Sequence, residues 1–163
     1  MVDATLFPAW EQNLPTLGTN YSQPGNEKTA ITFTLNKQYR TWPLTYGWVG
    51  DTLIVTCKEA TYKIARSIVE NANGFCWDIP SDGLVYKSKG TFAFISRKAF
   101  KDLKEKGYFI YDCITWRIID ESDVTIHVQA DIDRTEMWIK QDDDMPLVLE
   151  MRNNPLGIDW NIE

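Results

Sequence analysis

The chain has 163 residues and a formal net charge of −6, a length that suits one domain or one domain with an arm. Its 44 % hydrophobic and 25 % charged residues are those of an ordinary globular protein. No run approaches the ~18 consecutive apolar residues of a membrane helix, and the acidic balance disfavours nucleic acid and anionic membrane surfaces as partners.

The opening Met1–Pro8 has neither a basic head nor a continuous apolar run, so the expectation is a cytoplasmic protein without a signal peptide. Residues 1–27 read as an irregular arm, with Pro8, Pro15, Pro24, Gly18, Gly25 and a polar run over 19–23. Phe7, Trp10, Leu14 and Leu17 are spaced to lie along a groove or a short turn. Residues 28–163 are expected to form a single α+β domain.

Ile31, Phe33 and Leu35 alternate with Thr32 and Thr34, which predicts a strand. Residues 39–51 hold Trp42, Pro43, Tyr46, Gly47, Trp48 and Gly50 and read as an aromatic loop. A strand is expected over 52–57. Ile64, Ala65, Ile68, Val69 and Ala72 fall on one helical stripe, with Gly74 placed as a left-handed cap. A short strand over 75–79 and a turn over 80–83 follow.

The same order then recurs. Thr91–Ile95 reads as a strand, Ser96 as a helix N-cap, Ala99, Phe100 and Leu103 as a buried stripe, Gly107 as the C-cap, and Tyr108–Tyr111 as the next strand. Two βαβ-like units suggest a ferredoxin-like sandwich. The fold expected is α+β, an antiparallel or mixed sheet with two helices packed on one face, of which the ferredoxin-like arrangement is one form. Beyond it, Val124 to Ile132 alternates over nine residues, and 137–141 and 147–151 make further strands of a C-terminal meander. Pro155 and Gly157 interrupt it before a last segment, 158–162, in which Trp160 is placed to pin the tail.

Charge is split along the chain. Residues 112–163 carry thirteen acidic and four basic side chains, 4 − 13 = −9; residues 1–111 carry ten and thirteen, 13 − 10 = +3. Clustered carboxylates on turns steer association with a basic protein, and aromatic side chains supply desolvated anchors. The first functional expectation is therefore a non-enzymatic, inhibitor- or immunity-type binding module. Its partner-binding residues are expected to be Asp131, Asp133, Glu136, Asp142, Asp143 and Asp144, with Trp138 as an anchor. A second expectation is a small-molecule-binding domain whose pocket is lined by Trp42, Trp48, Trp77 and Tyr111. A third is a carboxylate-metal-dependent hydrolase built on the D-x-D-x-x-E run 131–136.

Other chemistries fit poorly. His127 is the single histidine, which removes sites needing a pair. Cys57, Cys76 and Cys113 lack zinc spacing and read as small buried hydrophobes, Cys57 and Cys113 facing inward. Phosphate-binding glycine motifs are absent. Neither a metal nor a cofactor is expected. Arg97, Lys101 and Lys104 share one helix face that could meet phosphates, but Asp102 and Glu105 neutralise it, and it reads as a solvated face.

Overall fold

Side chains suited to a pleated sheet dominate this chain, and where apolar residues recur at every second position they give strands. A computed structural model describes residues 29–35, 37–77, 83 and 85–163; the expected arm over 1–27, and most of the expected turn over 80–83, lie outside them. The elements run β1 (Thr29–Leu35), β2 (Gln38–Val49), β3 (Thr52–Cys57), β4 (Ala60–Ala65), α1 (Arg66–Asn71), β5 (Val85–Lys87), α2 (Arg97–Lys106), β6 (Tyr108–Tyr111), β7 (Ile114–Glu121), β8 (Thr125–Ala130), β9 (Glu136–Lys140), β10 (Val148–Arg152) and β11 (Ile158–Ile162).

These strands form one open sheet in the order β5-β4-β3-β2-β1-β11-β10-β9-β8-β7-β6. All neighbours are antiparallel except β5, which joins β4 in parallel. From β1 near the sheet's centre the described chain walks out to β4, crosses to the far edge at β6, and walks back until β11 pairs with β1. Ile31 then stands opposite Ile162, and Phe33 opposite Trp160. The expected C-terminal meander corresponds to β8, β9 and β10, and the antiparallel run it belongs to extends from β6 to β11.

The long aromatic stretch is a strand, not a loop. In β2, Trp42, Leu44, Tyr46 and Trp48 sit at alternate positions and point toward the core, while β1 and β3 flank the strand on both sides. Pairing with two neighbours overrides the loop signals of Pro43 and Gly47. The first helix is also shorter than its apolar stripe suggested. Ile64 and Ala65 belong to β4, where Ile64 faces Leu53 across a two-residue turn at Lys58 and Glu59. Ala72, not Gly74, is the residue that ends α1. Gly74 instead lies against the Asp112 carboxylate, whose oxygen would have to shift to make room for a Cβ there.

The second helix matches its expectation. The Ser96 hydroxyl accepts from the Ala99 amide, and Gly107 closes the helix at φ 83°. Thr91–Ile95, expected as a strand, joins through single bridges, Phe75 to Thr91 and Phe94 to Leu147. Its side chains are nevertheless buried: Phe92 stacks on Tyr62 at 4.5 Å, and the Tyr46 hydroxyl donates to the Phe92 carbonyl at 3.0 Å. One continuous apolar cluster includes residues from β1–β4, β6–β11, both helices and the 92–95 segment. α1 touches β3, β4 and α2, and α2 touches β6, so the helices reach between strands far apart in the sheet order.

Candidate functional site

Successive turns of an antiparallel meander fall at alternate ends of the sheet. The β8–β9 turn, with Asp131 and Asp133, therefore lies at the end opposite the β9–β10 turn, with Asp142, Asp143 and Asp144. The five residues of β9 separate them by roughly 17 Å at ~3.4 Å per residue. The six carboxylates expected to act together do not share one surface.

At the first end each carboxylate has a local role. Asp131 takes Arg117 Nε on both oxygens at 3.0 and 2.9 Å. Asp133 accepts from the Thr135 amide at 2.8 Å and shapes the turn. Glu136 Oε1 lies 2.7 Å from His127 Nε2. Trp138, the expected anchor, is half-buried. It stacks on His127 at 4.1 Å and lies under Arg152 at 4.6 Å, so neighbouring strands already cover its ring faces.

The second end is different. Gln141 donates its amide to the Val124 carbonyl at 2.8 Å and its side-chain Nε2 to the Ser122 carbonyl at 2.6 Å. Those bonds tie the β9–β10 turn to the β7–β8 turn, so Asp123 and the Asp142, Asp143, Asp144 run lie at the same end of the sheet as Asp120 and Glu121 at the end of β7. Asp142 Oδ1 accepts from the amides of Asp144 and Met145, which sets the shape of its turn. Asp143 pairs with Lys104 of α2. The Asp144 carbonyl accepts from Arg97 Nε at 3.0 Å, and Lys140 Nζ stands 4.0 Å from Asp142. Asp120, Glu121 and Asp123 are exposed and form no ion pair among the described residues. Ile119 and Val124 beside them are 50 % and 63 % exposed. Sequence reasoning passed over this turn. The signal was the D-E-S-D run at 120–123, less conspicuous than the aspartate triple.

Of the four aromatic residues expected around one pocket, Trp42, Trp77 and Tyr111 are linked through Phe33, Trp160 and Phe75 in one run of ring contacts, and no ring contact among the described residues joins Trp48 to them. Trp42 packs on Phe33 at 5.3 Å under Lys58. Trp77 packs on Phe75 and Trp160 and donates Nε1 to Asp112 at 3.2 Å. Tyr111 is fully buried; its hydroxyl pairs with Thr91 Oγ1 at 2.7 Å and accepts from the Ser96 amide at 2.9 Å. Burial pushes its phenol up to about 12. Trp48 lies near the β2–β3 turn, its ring beneath Arg66 at 4.3 Å and Arg97 at 5.9 Å.

Cys57 is buried as expected, and burial pushes its thiol up to about 12. Cys113 is exposed, contrary to the inward placement expected of it. It sits with Asp112 in the two-residue β6–β7 turn, both residues at positive φ, a geometry that matches strand twist and ends the apolar alternation one residue earlier. Among the described residues, no three His, Cys, Asp or Glu side chains are grouped to hold a metal ion, and no helix is long and apolar enough to cross a membrane. Comparison of the chain with protein-family models, with curated proteins and with solved structures finds no match.

Proposed function

We propose that this protein is a non-enzymatic binding module, of the inhibitor or immunity type, that engages a basic protein partner. Its docking surface is the sheet end formed by the turns after β7 and β9. The observation that carries this reading is the pair of Gln141 hydrogen bonds joining those turns. Six carboxylates (Asp120, Glu121, Asp123, Asp142, Asp143, Asp144) lie at that end; among the described residues Lys104 pairs with Asp143 and Lys140 stands 4.0 Å from Asp142, while Arg97 binds only the Asp144 carbonyl. The uncompensated remainder steers a cationic surface, while Ile119 and Val124 offer apolar contact at the centre of the patch. Asp131, Asp133 and Glu136 drop out of the proposed surface because they lie toward the opposite end of the sheet, and Trp138 because His127 and Arg152 cover its ring. The two helices share the apolar face of the sheet, a placement supported by their buried residues joining its core. Support for a ferredoxin-like duplication is limited to the single β4–α1–β5 crossover.

The test neutralises one turn at a time. Asp120→Asn with Glu121→Gln and Asp123→Asn, and separately Asp142→Asn with Asp143→Asn and Asp144→Asn, are compared with the unaltered chain in affinity capture at low and high salt. The expected outcome is loss of captured basic protein in both variants, and loss from the unaltered chain at high salt. Capture that is indifferent to both variants and to salt sinks the reading.

A further inference from the structure

β7 is longer than its edge neighbour. Tyr108, the first residue of β6, stands opposite Arg117, and the Gly107 carbonyl accepts the Ile118 amide. Beyond that point no strand lies beside Ile119–Glu121 on this side, among the described residues. The other side of β7 is occupied by β8, with Asp120 opposite His127 and Glu121 opposite Ile126. The Ser122 amide donates to the Thr125 carbonyl, while the Thr125 amide donates to Ser122 Oγ, so the two residues face each other at a hydrogen-bonding position of the ladder. Because such pairs alternate along an antiparallel ladder, the amide and carbonyl of Glu121 turn away from β8, toward the open edge. The ladder shifts register between Ile118 and Asp120, and a bulge of this kind re-aims an edge.

An open strand edge is a template for pairing with another chain, and an extended segment can add to it by main-chain hydrogen bonds. Charge identifies the occupant. Asp120, Glu121 and Asp123 line this edge with no cation in ion-pair reach among the described residues, and the exposed apolar neighbours Ile119 and Val124 suit a segment whose side chains alternate between basic and apolar. We propose that the basic partner docks through an extended lysine- or arginine-rich segment that adds as a strand to β7 at Ile119–Glu121. This rests on the binding reading given above and specifies how that partner is recognised.

The experiment uses the full chain and two synthetic peptides of equal charge. One alternates lysine and valine; in the other the valines are replaced by proline, which cannot donate to a ladder. The expected result is binding of the first peptide, at least about tenfold weaker binding of the second, which lacks the main-chain donors of the ladder, and slower hydrogen exchange at the Glu121 amide only with the first. The Asp120→Asn, Glu121→Gln, Asp123→Asn variant should lose most of the affinity for the alternating peptide while keeping its own amide spectrum. Equal binding of both peptides with no protection at Glu121 overturns strand addition and leaves the basic-partner reading standing. No binding of either peptide at low salt overturns both.

Discussion

Asp112 shows how one side chain can hold two parts of the chain together at a cost. It stands in the β6–β7 turn, yet its Oδ2 accepts from the Phe75 amide at 3.3 Å and from Trp77 Nε1 at 3.2 Å, and its own amide donates to the Asn73 carbonyl at 2.8 Å. Burial raises its carboxyl pKa above the ordinary value; the two hydrogen bonds lower it, but less. A raised folded pKa means that the protonated form is favoured by folding. The contribution is thus fully present below the unfolded carboxyl pKa and is lost as pH rises through the folded one. Asp112→Asn keeps an acceptor oxygen and removes the ionisation. Its stability relative to the unaltered chain should therefore improve as pH rises from the acid range to neutrality, measured by urea unfolding at a series of pH values. A stability difference that is flat with pH would falsify this account. The contact is not legible in sequence, because Asp112 and Trp77 are thirty-five residues apart and nothing local marks either as a partner of the other.

Elements differ in how far local chemistry defines them. α2 was readable because each of its signals is local: the Ser96 cap, the stripe of Ala99, Phe100 and Leu103, and Gly107. β2 was not, since Pro43 and Gly47 speak for a loop and only its neighbours β1 and β3 make it a strand. The β4–α1 boundary failed for a related reason. Ile64 and Ala65 satisfy both the helical stripe and the strand alternation, and the pairing of Ile64 with Leu53 decides between them. The candidate surface was half legible: the aspartate triple was visible, while its neighbour across the Gln141 bonds was not. Ser96 does more than its cap signal implied. It is fully buried, accepts from the Ala99 amide at 3.1 Å and donates to the Ala72 carbonyl at 2.7 Å, joining the start of α2 to the end of α1. Ser96→Ala removes the cap, ~1 kcal/mol, and leaves a buried carbonyl without its partner, ~1–3 kcal/mol. A loss of about 2–4 kcal/mol in chemical denaturation is expected, more than an exposed cap would give. A loss below about 1 kcal/mol would mean that Ser96 does not bridge the helices.

On the scale of the whole molecule, the route of the chain determines cooperativity. The first four strands and the last six are each a meander of local pairings, and the ladder that joins them, β1 with β11, pairs residues from opposite ends of the described chain. Such a join closes late and at high entropic cost. It is held by more than backbone bonds. Trp160 of β11 meets Phe33 of β1 at 6.3 Å and Phe75 and Trp77 of the crossing segment at 6.2 and 6.3 Å, and its Nε1 donates to the Val148 carbonyl at 3.0 Å. One side chain thus touches the first half, the second half and the chain between them. If the shared core makes these a single folding unit, Trp160→Ala should lower stability by about 3–5 kcal/mol while unfolding remains one transition, with calorimetric and van't Hoff enthalpies equal. If the meanders are instead independent, the substitution separates two transitions, and the half containing β2–β4 keeps its own midpoint. The binding proposal depends on the former behaviour, because the turn after β9 is positioned partly by contacts to α2, at Lys104 and Arg97, and α2 in turn packs on α1. A second half that loosened on its own would lose those contacts, and the acidic end would lose its shape before the rest of the sheet unfolded.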